Sequence, residues 1–196
     1  MADVDGRNAR SQRTRDAVVT ALLSWLRDGN LRPTAKEIAE RAGISVRSVY
    51  VHFDDLDDLF CAAATRQGED LAAVIEVIPA DLAFDERLRR FVDQRARAFE
   101  MVGPVKKAAA LQEPFSDPLA LLLDGMRRWQ RDEVGRLFAD ELARRPAADR
   151  EAALDAAHAL SVEESWSFLR NHGGLDIDSA RAALIVGLRA ILGGAA

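Results

Sequence analysis

Cysteine and long apolar runs are scarce in this sequence of 196 residues. With the single cysteine Cys61 no disulfide can form within the chain. No stretch reaches the ~18 consecutive apolar residues of a membrane-spanning helix, and no signal peptide is recognisable. We therefore expect a cytoplasmic protein with no membrane partner. The hydrophobic content of 48% is sufficient for a real core.

Sequence motifs of catalysis are missing as well. There is no glycine-rich phosphate loop, no H-E-x-x-H and no G-x-S-x-G, and the histidines His52, His158 and His172 are not clustered in a ligand-like spacing. The adjacent Glu163 and Glu164 would point roughly 100° apart on a helix, which is poor geometry for a paired acid and base. We expect no enzyme activity, no metal site and no cofactor.

The most informative segment is residues 35–54, A-K-E-I-A-E-R-A-G-I-S-V-R-S-V-Y-V-H-F-D. Thr34, with Glu37 three residues later, forms a capping box, which predicts that a helix starts directly after Thr34. Gly43 suits the left-handed conformation that ends a helix, and Ser45 can cap the next one. Two short helices joined at a glycine turn are typical of a helix-turn-helix, whose second helix enters the DNA major groove.

A wider set of residues around this segment forms a recognisable pattern. It comprises Thr14 and Arg15, Ile38 and Ala39, Ala42 to Ser45, Val49 to Phe53, and Leu59 and Phe60. The pattern resembles the tetracycline-repressor (TetR) family of transcription regulators over about residues 14–60. The resemblance implies a helix-turn-helix domain with an N-terminal arm at 1–60 and a helical ligand-binding and dimerisation domain at 61–196.

The same resemblance implies a function and its partners. We expect a homodimeric repressor, which binds a palindromic operator in double-stranded DNA and is released by a small-molecule effector of unknown identity. An activator that uses the same DNA contacts stays open. One position departs from the family pattern, because Leu56 stands where a phosphate-contacting lysine is usual. That departure keeps an alternative open, a helical small-molecule-binding or scaffold protein with a weakened DNA-binding module.

The second helix of the motif and its surroundings supply the candidate DNA contacts. Base edges are expected to meet Val46, Arg47, Ser48 and Val51. Phosphates are expected to meet Thr34, Lys36, Ser45, Tyr50 and His52.

Charge is divided unevenly along the chain. Residues 1–53 carry a net charge of +3 and the remainder −8, as expected when one module meets phosphate. Four upstream arginines fit either a DNA-contacting arm or a solvated tail, and the arm is not expected to fold by itself: Arg7, Arg10, Arg13 and Arg15. Four later aspartates would repel phosphate but also suit the start of a helix: Asp54, Asp55, Asp57 and Asp58.

Helical periodicity continues through the chain, and no alternating pattern indicates a strand. The expected fold class is all-α. Besides the two motif helices, the predicted helices are about Thr14–Arg27, Asp55–Val77, Asp85–Met101, Val105–Leu111, Pro118–Arg144, Ala148–Asn171 and Ser179–Leu192.

The last predicted helix is apolar on all sides, since Arg189 is its only charged residue between Ala182 and Leu192. One core cannot cover such a helix, so it is either a dimerisation helix or a second buried core helix. The predicted dimer interface comprises Ala153, Ala157, Leu160, Glu164, Ala183, Gly187, Ala190 and Ile191.

Aromatic and polar residues of the middle helices are the candidates for an effector pocket. They are Phe91, Arg95, Phe99, Met101, Gln112, Phe115, Met126, Trp129, His158 and Trp166. The same residues fit a plain helical core with ion-paired arginines, so both interpretations stand at this point.

Overall fold

The computed structural model describes the backbone of residues 2–73 and 75–193 and the side chains of residues 8–73 and 75–193. Within these ranges all regular secondary structure is helical, which confirms the predicted all-α class. The α-helices are α1 (Ala2–Arg27), α2 (Ala35–Ala42), α3 (Val46–His52), α4 (Leu56–Ala72), α5 (Phe84–Gln112), α6 (Asp117–Leu137), α7 (Ala139–Ala143), α8 (Arg150–Leu160), α9 (Glu163–Ser167) and α10 (Ile177–Leu192). Short 3-10 helices at Glu113–Phe115 and Ala147–Asp149 and a π-helical turn at Phe168–His172 complete the described structure.

Contacts divide the described chain into two compact units. The first unit contains the residues up to 73 together with 104–122, and the second contains 75–103 and 123–193. The long helix α5 contributes to both. The boundary expected between functional domains at residues 60 and 61 stays a prediction. No helix among the described residues is long and apolar enough to cross a membrane.

The core of the first unit is formed where α1 packs against α2, α3 and α4. Leu22 and Leu26 of α1 are fully buried there with Ile38, Val49 and Phe53. Helix α3 is therefore packed against the apolar core of the first unit through Val49.

The second unit has its own core, built from α5 to α10. Phe91 and Phe138 meet edge to face with their ring centroids 5.5 Å apart. Leu184 and Leu188 of α10 are buried in the same cluster.

Two helix boundaries near the N-terminal half differ from the predicted ones. The predicted helix start near Thr14 was wrong, because α1 begins at Ala2 and includes the upstream arm. Hydrogen bonds from Gln12 to Asp16 and from Thr14 to the Arg10 carbonyl support this extension at a spacing of four residues. Helix α4 ends at Ala72 and not near Val77, since the β-branched run before Pro79 favours extended backbone.

The predicted helix end at Gly103 and Pro104 was also wrong. Helix α5 continues through both residues to Gln112, so the separate segment predicted at Val105–Leu111 belongs to it. Pro104 removes only one backbone N–H, and buried side chains on either side, Val102 and Val105 among them, hold the helix together.

Two predicted long helices are broken into shorter ones. The break after α6 lies at Phe138, whose ring is buried among aromatic side chains while its backbone leaves the helical region. The break after α8 lies at the buried Ser161, whose hydroxyl donates to the His158 carbonyl. Helix α10 starts at Ile177, two residues before the predicted Ser179, because Asp176 caps it and accepts from the Ser179 N–H at 2.7 Å.

Candidate nucleic-acid interface

The start of α2 is a complete capping box. The Glu37 N–H donates to Thr34 Oγ1 at 3.3 Å, and both the N–H and the hydroxyl of Thr34 donate to Glu37 Oε2 at 2.7 Å. These hydrogen bonds from Thr34 hold the pKa of the Glu37 carboxyl below its usual range. The helix begins at Ala35, which confirms the sequence prediction.

The turn between α2 and α3 depends on glycine. Gly43 has φ 69° and ψ 31°, a left-handed conformation in which its N–H donates to the Glu40 carbonyl. Ser45 then caps α3 by accepting from the Ser48 N–H at 3.1 Å. Both predictions are confirmed, and the turn fixes the direction in which α3 leaves α2.

The outer face of α3 carries most of the residues predicted to touch bases. Val46 and Arg47 are exposed, and Val51 exposes 71% of its surface although it is apolar. Arg47 has no hydrogen-bond or ion-pair partner among the described residues. Ser48 is half-buried, and its hydroxyl lies 2.9 Å from Ser45 Oγ. Their base contacts stay predictions.

The predicted phosphate contacts differ in how available they are. Both donors of Thr34 already point at Glu37, so a phosphate would have to replace that carboxylate. Lys36 is exposed and only loosely paired with Glu40 at 3.9 Å. Tyr50 is half-exposed, Ser45 is exposed and engaged in the cap, and His52 is partly buried. Phosphate binding by these five residues stays a prediction.

The aspartates after α3 cap the next helix. Asp55 Oδ1 accepts from the Asp58 N–H at 2.8 Å, and Asp58 in turn accepts from the Asp54 N–H at 3.4 Å. This confirms the capping interpretation of the cluster. Leu56, at the usual lysine position, is partly buried and packs against the core of the first unit.

A cation–π contact, not anticipated from the sequence, ties α2 to α1. The Arg41 guanidinium carbon lies 3.5 Å from the centroid of the Trp25 ring, and its Nη1 donates to Ser24 and Asp28 at 2.9 and 2.6 Å. Trp25 Nε1 donates to the Glu37 carbonyl at 3.1 Å. Arg41 therefore supports the motif and is not free to meet phosphate.

In the second unit, the predicted pocket residues lie in several places. Phe91, Phe99 and Trp166 are buried in the core, and Trp166 Nε1 donates to Glu100 at 2.8 Å. Arg95 is only 4% exposed and donates to Glu133 at 2.6 Å. Burial lowers the pKa of Arg95, and the Glu133 carboxylate counteracts that effect.

The remaining pocket candidates are not gathered in one depression. Trp129 lines an open groove of about 260 Å³ with Glu133 and the segment 75–78, whereas Met101 lines another of about 510 Å³ with Arg97 and Arg181. Met126 and His158 are half-buried on α6 and α8. Gln112 and the exposed Phe115 belong to the first unit. An effector pocket lined by these residues stays a prediction.

The predicted dimer residues lie on α8, α9 and α10. Ala153 and Ala157 are buried within the chain itself, whereas Glu164 and Ala190 are exposed, and Ile191 is partly buried. Gly187 permits a close approach of two helices of the same chain, since a Cβ there would lie 2.9 Å from Leu160 Cδ1. An open apolar groove of about 370 Å³ is lined by Leu160, Glu164, Ser165, Phe168, Leu169, Ala183, Leu184 and Gly187.

Four residues of this groove were not predicted from the sequence, Ser165, Phe168, Leu169 and Leu184, and Phe168 is the exposed one among them. It is 63% exposed and stacks on His172 with a centroid distance of 5.6 Å. Its position four residues after Glu164, which places both on one helix face, was the available signal.

Comparison with known proteins agrees with this geometry. A family model described as bacterial regulatory proteins, tetR family, matches residues 28–63. Residues 28–63 are thus similar to the segment that this TetR-family model describes. This confirms the resemblance carried by residues 14–60, and it places the matched segment across α2, α3 and the first part of α4.

Solved structures extend the likeness in fold over more than nine tenths of the chain. A transcriptional regulator from Rhodococcus sp. RHA1 has 19% identity and a TM-score of 0.73, with 92% of this chain and 96% of that chain covered. A tetR-family regulator from Streptomyces coelicolor has 22% identity and a TM-score of 0.72, with coverage of 92% and 80%. NalD, the secondary repressor of the MexAB-OprM multidrug efflux pump in Pseudomonas aeruginosa, has 21% identity and a TM-score of 0.59, with coverage of 93% and 97%.

No curated protein matches the sequence. Among the described residues, no group of three or more histidine, cysteine, aspartate or glutamate side chains is arranged to hold a metal ion.

Proposed function

We propose that this protein is a sequence-specific DNA-binding transcriptional regulator of the TetR type, acting in the cytoplasm as a repressor. The observation that carries the proposal is the outer face of α3. A short helix capped at Ser45 and seated on the buried Val49 presents Arg47 without a partner in the described structure and Val51 largely exposed. Arginine reads guanine bidentately and an apolar side chain meets the thymine methyl group, so this face is suited to a base sequence.

The protein would bind its operator as a homodimer. Support comes from α10, whose inner residues fill the core while Val186, on the opposite side, remains 67% exposed. A second copy that covers this face and the Phe168 groove is the economical arrangement, since an isologous contact needs one surface only. Two α3 helices would then reach successive major grooves of a palindrome, with half-sites roughly 34–36 Å or more apart.

Release by a small molecule completes the proposal. A ligand shifts binding only by its preference for the arrangement that does not hold DNA, and a coupling of ~1–3 kcal/mol is typical. NalD is a repressor of an efflux pump by its name. We infer that this chain, which has a similar fold, is released from its operator by a small-molecule effector.

Selection from a pool of random duplexes tests the proposal. The purified chain is incubated with the pool at near-physiological salt, and retained DNA is sequenced. A shared palindrome supports a regulator and reports its half-site spacing. Weak retention that falls steeply with salt and shares no sequence would refute it, and would favour a helical small-molecule-binding protein whose DNA-binding module has weakened. Co-purified effector is first removed by unfolding and refolding.

A further inference from the structure

One guanidinium on α1 makes three contacts with the end of the recognition helix and the start of the next helix. Arg15 Nη1 donates to the His52 carbonyl at 2.6 Å. The guanidinium carbon lies 4.2 Å from the centroid of the Phe53 ring. Nη2 lies 3.9 Å from Asp58 Oδ1 in the first turn of α4. Arg15 therefore joins α1, α3 and α4.

The His52 carbonyl is an acceptor that α3 cannot satisfy by itself. It belongs to the last residue of a helix of seven residues, and the last four carbonyls of any helix lack intrahelical donors. A cation at this end is also stabilised by the negative end of the helix dipole. Since a helix this short is unstable in isolation, its direction depends on tertiary contacts of this kind.

Arginine is the side chain that fits all three contacts at once. Its planar guanidinium can donate in the plane while an aromatic ring covers one face, whereas a lysine ammonium is a compact charge that cannot do both. Phe53 is buried in the core of the first unit, so the ring beneath Arg15 is itself fixed. The three contacts thus transmit the position of α1 to the C-terminal end of α3.

The same contacts withdraw Arg15 from DNA. Its charge faces a carbonyl and the Asp58 carboxylate, both of which belong to its own chain. Arg13, two residues earlier on α1, is by contrast exposed and has no partner among the described residues. The two arginines are close in sequence but differ in their surroundings.

We propose that Arg15 is a positioning residue for DNA recognition, which sets the orientation of α3 and makes no phosphate contact. The inference rests on the proposed DNA-binding function. Loss of Arg15 should therefore weaken binding to the operator selectively. Binding to duplexes without the operator, which depends on general charge attraction, should remain.

The test compares Arg15→Ala, Arg15→Lys and the control Arg13→Ala with the unaltered chain. Affinity is measured over a salt series for the selected operator and for a scrambled duplex, alongside circular dichroism and thermal unfolding. We expect Arg15→Ala to lose roughly tenfold or more in operator affinity, the usual weight of a hydrogen bond to a charged group, with the scrambled duplex and the salt slope unchanged. Arg15→Lys should fall between the two.

Arg13→Ala is the control for loss of charge alone. Arg13→Ala removes the same charge from the same helix, so any effect it has should appear on both duplexes alike. If Arg15→Ala weakens both duplexes equally and flattens the salt slope by about 1, Arg15 contacts a phosphate and the inference is overturned. A lower melting temperature with unchanged operator affinity would also overturn it, because Arg15 would then be merely structural.

A separate readout covers the case in which the unaltered chain selects no operator. That result would refute the proposed function. Hydrogen exchange would then test, without DNA, whether Arg15 stabilises the C-terminal end of α3. In Arg15→Ala the Phe53 amide, which donates to the Val49 carbonyl at 3.0 Å, should exchange at least severalfold faster, while amides of α2 keep their rates. Equal exchange rates in both chains would refute the positioning role.

Discussion

Substitution of Gly43 by alanine should destabilise the first unit through backbone conformation alone. Gly43 has φ +69°, and a Cβ built there meets no atom within 4 Å. No clash contributes, so the expected cost is that of placing an L-residue in the left-handed region, about 1–2 kcal/mol. The turn should also shift α3, so operator affinity should fall with stability.

Gly68 provides a matched control for Gly43 within the same unit. A Cβ at Gly68 likewise meets nothing within 4 Å, but this glycine lies inside α4 with an ordinary helical backbone. Gly68→Ala should therefore stabilise the protein by about 0.5–1 kcal/mol. The two substitutions add the same atom to equally open space, and the reasoning predicts effects of opposite sign.

Urea unfolding measures the change in the free energy of unfolding for both substitutions. Circular dichroism reports the loss of helix in the whole chain. The fluorescence of Trp25 reports the first unit alone, in chains whose other two tryptophans are replaced by phenylalanine. A Gly43→Ala chain as stable as the parent, or a Gly68→Ala chain equally destabilised, would refute the argument from backbone conformation.

Three further predictions concern DNA contact, assembly and pH. Arg47→Ala should weaken operator binding by ~1–3 kcal/mol and relax base preference, whereas Lys36→Ala should weaken all duplexes alike and flatten the salt slope by ~1; equal losses on operator and random DNA for Arg47→Ala would exclude base reading. Phe168→Ala should raise the dimer dissociation constant by at least ~30-fold in sedimentation experiments, as expected for an aromatic anchor, while Phe115→Ala, which truncates a phenylalanine that is 76% exposed in the first unit, should not. Because the pKa of Glu37 is lowered, the contribution of its carboxylate to the free energy of unfolding is complete above the usual glutamate pKa and is lost as pH falls through the lowered value. Glu37→Gln should therefore make stability depend less on pH on the acid side. A pH profile of stability identical to that of the parent would contradict this.

The features that could be predicted from sequence are those set by neighbours within a few residues. The capping box of Thr34 and Glu37 and the turn at Gly43 each depend on contacts no more than five residues apart. Their residue types therefore identify them without knowledge of the fold. The helix start at Ala35 was accurate for this reason.

Boundaries that depend on tertiary packing could not be predicted in the same way. Pro104 is a strong local signal for a helix end, yet α5 passes through it because buried side chains on both sides hold the helix. The break at Phe138 has the opposite cause. Nothing local ends a helix there, and the aromatic cluster around the buried ring accompanies the break.

The number of cations available at the candidate DNA-binding site could not be predicted from the sequence either. The net charge of +3 in residues 1–53 counts every arginine as equal. The guanidinium groups of Arg15 and Arg41 nevertheless already contact a carbonyl, carboxylates and aromatic rings within the first unit. The cations left for phosphate are fewer than the sequence suggests, so the proposed DNA binding would depend correspondingly more on the proposed base contact by Arg47 and on the orientation of α3. A salt slope shallower than the count of basic residues implies is therefore the expected behaviour of this module.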